Sequence, residues 1–340
     1  MTPLLLSYLC EPTTHLSLTL LNAQYDDEGN IDSGLLVTDE GASYPIIDGI
    51  PRFIPLEATN SVTSFGDEWN YFNFTDFKEN WLTQTVASTF GNTAVFEDKL
   101  IVDAGGGSGS QSKWFSEYGA KHVILLELSH SVDSIIRKNL IGISNVDVIQ
   151  CSIDSPPIKP GSIDGIVYCH NVIQHTESVE KTAGALFDLI APGGEFVFNC
   201  YELGDKGMRK WMRWHLVYMP LRKFLSKRSF TTVLAYARTA AALRLLPGFG
   251  FLFEKAGFCI TGTVVIPDAL SVPRRLKLRY KATSLNTYDL FGSHSNQHHK
   301  TELEIRELVQ VLQPDPTKIL NQENYFLKPQ PIGCALRVFR

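Results

Sequence analysis

The stretch IVDAGGGSGSQ, residues 101–111, places four glycines in five positions between an apolar run and a helical pattern, which indicates a ligand-binding loop between a strand and a helix. Glycine lets a ligand approach the backbone closely, and amides at the start of a helix attract anionic or polar groups. A dinucleotide loop, G-x-G-x-x-G, would need glycine where Ser110 stands, and a P-loop would need a lysine after its last glycine. The stretch instead offers G-x-G-x-G at Gly105, Gly107 and Gly109, which fits neither motif.

Apolar runs alternate with helical patterns on the carboxyl side of this loop. We expect strands in KLIVDA, HVILLEL, VDVIQC, IDGIVYC and GEFVFNCY, which begin at residues 99, 122, 146, 163 and 194. Helices are expected at about 110–118, 131–140 and 179–190. Such an alternation favours a parallel sheet with helices on both faces. ENYFLK and GCALRVFR, which begin at residues 323 and 333, are interpreted as the two strands that close the sheet.

The loop and its flanks resemble the cofactor-binding start of class I S-adenosylmethionine-dependent methyltransferases, in particular those with a methyltransferase type 11 core. The hallmark of that family is an acid, a G-x-G-x-G loop and a second acid that ends the next strand. Asp103 matches the first acid and Glu127 the second. In the family the loop backs the methionine end of the cofactor, and the second acid accepts hydrogen bonds from both ribose hydroxyls. The resemblance therefore implies S-adenosyl-L-methionine as cofactor and S-adenosyl-L-homocysteine as product.

Further segments match the same family in order, over about residues 65–200. SFGDEWNYF resembles an aromatic arm that folds over the cofactor, YCHNVIQHT the loop after the fourth strand, and LIAPGGEFVF the turn before the fifth. Cys151 and Ser152 stand where the family has a Gly-Asp pair, so Ile153 and Asp154 are expected to cover the adenine edge. The resemblance assigns cofactor contacts to Trp69, Asp103, Gly105, Gly106, Gly107, Gly109, Glu127, Leu128, Ser152, Ile153, Asp154, Asn171 and Val172.

The fold implied by these matches is α/β. We expect a doubly wound, Rossmann-like, mostly parallel seven-stranded sheet with a small N-terminal β-rich domain and a largely helical cap insertion. The predicted parts are a degenerate zinc-ribbon-like domain at 1–56, a linker and helical arm at 57–94, the cofactor-binding core at 95–205, a basic aromatic cap at 206–299, and the final helix and closing strands at 300–340.

Residues 1–56 resemble a zinc-ribbon domain that is fused to some methyltransferases, including certain ribosomal RNA enzymes. That domain uses two Cys-x-x-Cys knuckles, but here only Cys10 remains, with Thr13, Val37 and Glu40 at the other positions. A tetrahedral zinc site needs four good ligands, so we predict no structural zinc and no other metal. The six cysteines are scattered singly, which favours reduced thiols in a cytoplasmic protein.

Charge is divided unevenly along the chain. Residues 206–281 hold sixteen Lys or Arg against two acids, a net charge of +14, which leaves −19 for the rest of a chain whose net charge is −5. This basic segment interleaves cations with aromatic side chains, a pattern that suits a peripheral membrane contact, an anionic ligand or nucleic acid. The alternative is a solvated basic face whose aromatic side chains pack on the body. Candidate substrate contacts are Trp211, Arg213, Trp214 and Tyr288.

A base is needed when the methyl acceptor must lose a proton, and histidine is the usual one. The candidates are His175, Tyr201, His294, His298 and His299, with His170 as a rival because it follows a predicted strand. Three of these histidines share one polar stretch, so the sequence does not single out one of them. Because a sulfonium methyl is already activated, the protein mainly aligns the acceptor and excludes water.

The function expected is methyl transfer to a small-molecule acceptor, and a basic aromatic cap suits anionic and lipid-like acceptors. One alternative is an RNA methyltransferase, which the missing zinc ligands and the acidic body disfavour. The other is a non-catalytic adenosylmethionine-binding scaffold. The sequence has no apolar run of about 18 residues and no secretory signal pattern, so we expect a cytoplasmic protein with peripheral membrane contact as an option. The acceptor atom and the oligomeric state stay open.

Overall fold

A computed structural model gives the fold of residues 1–54, 60–202, 207–262, 266, 270–292, 296–312, 319–328 and 330–340. The chain divides into two compact units. The core unit comprises Met1–Glu202 and Asn296–Arg340, and the helical unit comprises Leu203–Ser295.

The core unit begins with a short helix and an antiparallel sheet of four strands in sequence order. These elements are α1 Pro3–Tyr8, β1 Thr19–Tyr25, β2 Ile31–Val37, β3 Ser43–Ile47 and β4 Ile50–Pro51. Leu36 and Ile46 of this sheet lie in the same buried apolar cluster as Ile149, which belongs to the main sheet. The N-terminal sheet therefore shares one hydrophobic core with the main sheet, and the predicted β-rich character of the N-terminal part is confirmed.

The main sheet has seven strands among the described residues, in the order β10-β11-β9-β8-β5-β6-β7. They are β5 Leu100–Ala104, β6 His122–Glu127, β7 Val146–Gln150, β8 Ile166–Cys169, β9 Glu195–Phe198, β10 Ile319–Leu320 and β11 Leu336–Phe339. Strands β5 to β9 run parallel, while β11 runs antiparallel to both β9 and β10. Every residue of β5 and β6 is buried, as expected for central strands with both faces covered. The predicted doubly wound, mostly parallel sheet is confirmed.

Helices and short helical turns connect these strands. Before the helical unit, the α-helices of the core unit that follow α1 are α2 Asn60–Tyr71, α3 Lys78–Asn80, α4 Ala87–Thr89, α5 Ser110–Glu117, α6 Ile135–Leu140 and α7 Val179–Asp188. A π-helical stretch, Trp81–Val86, joins α3 to α4, and 3₁₀ turns lie at Phe74–Phe77, Thr93–Phe96, His130–Asp133 and Ile173–His175. The helix expected at about 131–140 is thus a 3₁₀ turn followed by α6.

The helical unit contains α8 Met208–Met212, α9 Met219–Leu225, α10 Phe230–Arg244, α11 Phe249–Ala256 and α12 Val272–Phe291. A π-helical stretch, Arg213–Tyr218, joins α8 to α9. Val233 and Ala237 of α10 are buried, as are Tyr288 and Phe291 of α12, so these two helices supply the interior of the unit. The insertion is helical as predicted. In the described part of the chain, every helix is too short or too polar to cross a membrane.

One predicted strand is wrong. ENYFLK lies mostly in helix α14, Gln322–Phe326, and the strand that closes the sheet is Ile319–Leu320 instead. Asn321 separates the two with a left-handed φ of 64°, which turns the chain out of the strand. A short apolar run does not distinguish a strand from a helical turn by periodicity alone. The other predicted closing strand is confirmed as β11, and α13 Glu302–Val311 is the final long helix before it.

Candidate cofactor and acceptor site

The glycine loop lies between β5 and α5, where the sheet order reverses between β5 and β8. Ligands of doubly wound folds bind outside the carboxyl ends of the strands at such a point. A Cβ built on Gly105 would lie 2.4 Å from Cγ1 of Val172, and one on Gly107 would lie 2.8 Å from Cε2 of Trp69. Because those distances are too short for any side chain, the loop is closely bounded by the predicted contacts Val172 and Trp69 on two sides.

The other two loop glycines, Gly106 and Gly109, face the sheet and helix α6, respectively. A Cβ on Gly106 would lie 2.6 Å from Cγ of Leu125, within β6. A Cβ on Gly109 would lie 3.4 Å from Cγ2 of Ile136, an ordinary contact distance. Gly109 has a φ of 73° and directly precedes α5, so its constraint comes from the backbone rather than from crowding.

Both predicted acids are buried at the carboxyl ends of adjacent strands. The Asp103 carboxylate accepts a hydrogen bond of 2.6 Å from the Ser112 hydroxyl on α5. Burial raises the pKa of Asp103 to about 6, partly opposed by that hydrogen bond. Glu127 accepts hydrogen bonds from the amide of Gly107 at 2.8 Å and the amide of Ser129 at 2.9 Å. Burial raises the pKa of Glu127 as well, while these amides favour its charged form.

The segment after β7 carries the predicted adenine contacts. Ser152 accepts a hydrogen bond of 3.2 Å from the amide of Asp154, and the side chain of Ile153 is buried in the main core cluster. The Asp154 carboxylate accepts a hydrogen bond from the hydroxyl of Thr182 on α7. Leu128, half-buried after β6, offers its carbonyl to the Gln150 amide at 3.3 Å. The structure therefore places these residues at one edge of the sheet, with Asp154 held toward α7.

Two asparagines connect the ends of β8 and β9. The backbone amide of Asn171 donates to Oδ1 of Asn199 at 2.7 Å, and Nδ2 of Asn199 donates to Oδ1 of Asn171 at 2.7 Å. Asn171 adopts a φ of 59°, a left-handed conformation that asparagine tolerates better than most residues. Asn199 was not among the predicted contacts, although a polar residue directly after a buried strand at this edge was the available signal.

Helix α2 forms the predicted aromatic arm. Its Trp69 is half-buried against the loop, and Phe72, directly after the helix, is buried. A Cβ on Gly66 would lie 2.2 Å from Cε1 of His130, so this side of the helix packs directly on the turn that follows β6. The close approach at Gly66 explains why a glycine interrupts the arm, and this reason was not visible in the sequence.

The predicted bases gather at the carboxyl ends of β8 and β9. The ring of Tyr201 lies 5.6 Å from the rings of both His175 and His299, and Phe65 of the arm lies 5.7 Å from His175. Nδ1 of His175 lies 3.2 Å from the carbonyl oxygen of Asn296. We call Phe65, His175, Tyr201 and His299 the ring cluster. Its members are half-buried.

Two further residues flank the ring cluster. Nε2 of His298 lies 3.0 Å from the carbonyl oxygen of Thr176, and the His298 amide donates to the carbonyl of Gln174 at 2.8 Å. Gln174 is fully buried, and both polar atoms of its side chain lack a hydrogen-bond partner in the described structure. A buried carboxamide without hydrogen-bond partners is unusual. Gln174 was not among the predicted site residues. His294 lies outside the described residues.

His170 has a different environment. Its Nε2 lies 3.0 Å from the carbonyl oxygen of Gly333, and its ring stacks on Tyr168 at 5.6 Å. Burial lowers the pKa of His170 to about 4, although the contact with Gly333 opposes this change. His170 is therefore neutral at pH 7 and lies within the packed interior.

The four candidate substrate contacts lie in the helical unit. Trp211 is 56% exposed, and the ring of Trp214 lies 4.3 Å from that of Tyr218. Arg213 is exposed and its stem packs against Gly257. Tyr288 is fully buried inside the unit, with its ring 5.5 Å from Phe230. Their contact with a substrate stays a prediction.

Hydrogen bonds hold the turn that follows Cys10, where the sequence resembles the first knuckle of a zinc ribbon. The Glu11 carboxylate accepts from the amide of Thr13 at 2.7 Å, and from the hydroxyls of Thr14 and Tyr44 at 2.8 Å each. Burial raises the pKa of Glu11, but these hydrogen bonds outweigh it and hold the pKa at about 2. Cys10 is buried beside this turn. Across the described residues, no group of three or more His, Cys, Asp or Glu is placed to hold a metal ion.

Comparison with known proteins identifies the central domain. Residues 102–198 match the family model described as Methyltransferase domain. A solved S-adenosylmethionine-dependent methyltransferase from Mesorhizobium loti is 27% identical, with a match that covers 30% of this chain and 47% of that chain at a TM-score of 0.27. This chain thus spans about half the length of that protein. None of the curated proteins matches the chain.

Two other solved structures are similar over a larger part of the chain. A SAM-dependent methyltransferase from Aquifex aeolicus is 14% identical and covers 41% of this chain and 77% of that chain, with a TM-score of 0.34. The N-methyltransferase NodS from Bradyrhizobium japonicum, solved with S-adenosyl-L-homocysteine, is 14% identical and covers 41% and 72%, with a TM-score of 0.35. The predicted class I methyltransferase domain is confirmed for residues 102–198 by the family match together with the strand order.

Proposed function

We propose that this protein transfers the methyl group of S-adenosylmethionine to a small-molecule acceptor. One observation carries the proposal. The glycine loop of a methyltransferase domain lies between Trp69 and Val172, and the carboxylates of Asp103 and Glu127 are buried at the carboxyl ends of the two strands beside it. This combination offers a narrow backbone surface for the cofactor and acceptor oxygens for its hydroxyl and amino groups.

The Glu127 carboxylate and the Trp69 ring suit the chemistry of the cofactor. A carboxylate has about four acceptor positions, and the amides of Gly107 and Ser129 use two of those on Glu127. The ribose hydroxyls would bond to the carboxylate positions that these amides leave open. Burial raises the pKa of Glu127, and these amides oppose that change by favouring the charged form, which accepts the stronger hydrogen bonds from a ligand. Trp69 supplies an aromatic wall over the loop.

The cofactor supplies a methyl group on a positively charged sulfur, so the residues of this chain have to orient the acceptor and keep water out. His175 is our choice for the proton acceptor because it belongs to the ring cluster at the sheet edge. When its Nδ1 carries the proton donated to the Asn296 carbonyl, Nε2 is the basic nitrogen. Tyr201, with its ring beside His175, would position the acceptor.

The ring cluster supports a small acceptor. Its members are half-buried within the core unit, and Gln174 offers a buried amide and carbonyl group nearby. An acceptor that reaches this cluster has to enter between side chains, which suits a small molecule better than a folded RNA. Leaving both atoms of Gln174 unpaired is costly, so a polar acceptor that bonds to them would gain affinity.

The test is calorimetric titration of the full-length protein with S-adenosylhomocysteine, followed by mass spectrometry of ligands that copurify. Glu127→Ala should weaken binding at least about thirtyfold, because two charge-assisted hydrogen bonds are lost. Arg213→Ala should leave the affinity within about twofold, since its stem packs inside the helical unit. Glu307→Gln, an exposed glutamate on α13, is the matched control for loss of one acid.

The outcomes separate the alternatives. Binding together with methyl transfer to a copurified small molecule supports the proposal. Binding with transfer only to RNA would establish the RNA methyltransferase instead. Binding without transfer to any cellular fraction would favour a scaffold, and equal losses in Glu127→Ala and Arg213→Ala would overturn the placement of the cofactor.

A further inference from the structure

An exposed apolar row runs along the first helix of the helical unit. Helix α8, the π-helical stretch and α9 form one continuous helix, Met208–Leu225, because the residues at both junctions have right-handed helical angles. Its exposed apolar residues include Met208, Met212, Leu216 and Met219 in addition to Trp211 and Phe224. Spacings of four, four and three residues, each about one helical turn, bring successive members of this row next to one another. The row carries Leu216 with 62% of its surface exposed.

A second exposed apolar surface lies beside this row. A Cβ on Gly257, directly after α11, would lie 2.7 Å from Cγ of Arg213 and 3.8 Å from Cγ1 of Val217. Arg213 and Val217 each follow a member of the apolar row by one residue, so the end of α11 packs next to the row. Helix α11 exposes Phe249, Phe251 and Leu252, the last with 66% of its surface. We call the exposed apolar residues of these two helices the apolar face.

Cations lie against exposed rings of the same two helices. Lys255 lies over the ring of Phe251 at 5.4 Å, and Arg228 lies over the exposed ring of Phe224 at 4.3 Å. Lys223 and Lys227 are exposed at the end of the same first helix. The carboxylate of Glu254 forms an ion pair with Arg244 inside the unit, so it does not neutralise this surface. The segment 206–281 has a net charge of +14.

Helix α12 also exposes apolar side chains next to cations. The first half of this helix exposes Val272 and Leu276 together with Arg274, Lys277 and Arg279. Helices with exposed Trp, Phe and Leu beside Lys and Arg bind in the plane of a bilayer, with apolar side chains among the acyl chains and cations at the headgroups. The geometry points to an anionic lipid bilayer as the partner of the helical unit, bound through the apolar face.

The aliphatic part of this surface distinguishes a bilayer from nucleic acid. Single-stranded nucleic acid binds proteins through cations and aromatic stacking. Exposed methionine and leucine side chains contribute to neither interaction. Leu216, Met219 and Leu252 would stay in water in a complex with RNA, whereas a bilayer buries them. The inference rests on the helical unit alone and holds whether or not the methyl-transfer proposal is correct.

Flotation of the full-length protein with vesicles tests the inference. One set of vesicles contains equal parts phosphatidylglycerol and phosphatidylcholine, and the other contains phosphatidylcholine alone. We expect binding to the anionic set, with weaker binding as salt increases. The double variant Leu216→Ser with Leu252→Ser should lower the partition coefficient at least about tenfold. The double variant Leu303→Ser with Leu327→Ser, at similarly exposed leucines of the core unit, should leave it unchanged.

A second pair of double variants tests the contribution of the lysines. Lys223→Gln with Lys227→Gln should lower the partition coefficient about thirtyfold, equivalent to about 2 kcal/mol. Lys121→Gln with Lys181→Gln, exposed lysines of the core unit, should lower it much less. Circular dichroism of each variant checks that the helices are intact.

Four outcomes would overturn the inference. The first is absence of binding to anionic vesicles at low salt. The second is equal binding to neutral vesicles, which would remove the role of the cations. The third is a loss of vesicle binding in the core-unit leucine variant as large as in the helical-unit variant. Salt-sensitive binding to single-stranded RNA that the leucine variants leave unchanged would assign the surface to nucleic acid.

Discussion

Replacement of Gly107 by alanine tests whether Trp69 closes on the cofactor loop, and Gly109→Ala is its matched control. Both glycines have left-handed angles, with φ of 59° and 73°, so each substitution should cost about 1–2 kcal/mol of folding free energy. Only at Gly107 does the new Cβ meet a ring, at 2.8 Å from Cε2 of Trp69. Normal carbon contacts are about 3.5–4.0 Å apart, so the ring has to move by about 1 Å.

That movement should appear in ligand affinity. Overpacking of this kind costs about 1–3 kcal/mol, so we expect Gly107→Ala to weaken binding of S-adenosylhomocysteine at least about tenfold. Gly109→Ala, whose Cβ would lie 3.4 Å from Ile136, should change it by less than about threefold. Calorimetry gives the affinities and denaturant unfolding gives the stabilities.

A double-mutant cycle completes the test. In a Trp69→Ala background the crowding is gone, so the excess effect of Gly107→Ala over Gly109→Ala should disappear. If the two alanine variants bind the ligand equally well in the presence of Trp69, the ring does not lie over the loop when the ligand is bound. That result would refute the placement of Trp69 over the glycine loop in the ligand complex.

Two further predictions concern buried ionisable groups in the core unit. The folded-state pKa of His170 is about 4, below the ordinary 6.5, so the folded protein binds fewer protons than the unfolded chain, and stability should fall as the pH drops from about 6.5 toward 4. His170→Gln, which can still donate to Gly333, should remove this component in denaturant unfolding at pH 7 and pH 5; an unchanged pH dependence would contradict it. Glu195→Gln breaks the largely buried ion pair with Arg337 and should lower the free energy of unfolding by about 3 kcal/mol, measured by denaturant titration, with the exposed Glu307→Gln as control.

The fold was predictable because its signals are local. Each parallel strand from Leu100 to Phe198 is a short apolar run, and each is followed by a helical pattern or a turn rich in glycine or proline. Asp103 and Glu127 were identifiable for the same reason, since each stands at or next to the end of such a run. The short segment around Tyr325 carried no comparable signal, because five residues fit a helical turn as well as a strand.

Most details of the site depend on contacts between distant segments. The close approach of Gly66 to His130 joins residues 64 positions apart, and the pair of Asn171 with Asn199 joins residues 28 positions apart. The burial of Gln174 depends on how the turn after β8 packs, which a single sequence does not record. Residue type and spacing identify a class of site, whereas orientation is set by tertiary packing.

The attachment of the N-terminal sheet has a consequence for aggregation. Strand β7 is an outer strand of the main sheet, and the residues that follow β4 cover its carboxyl end: Arg52 forms a parallel bridge with Gln150, and the amide of Phe53 donates to the Gln150 carbonyl. Uncovered edge strands are templates for pairing with other chains. The N-terminal segment therefore also covers this end of an edge strand that could pair with other chains. A shortened chain that begins after Phe53 would expose that strand to other copies of the protein.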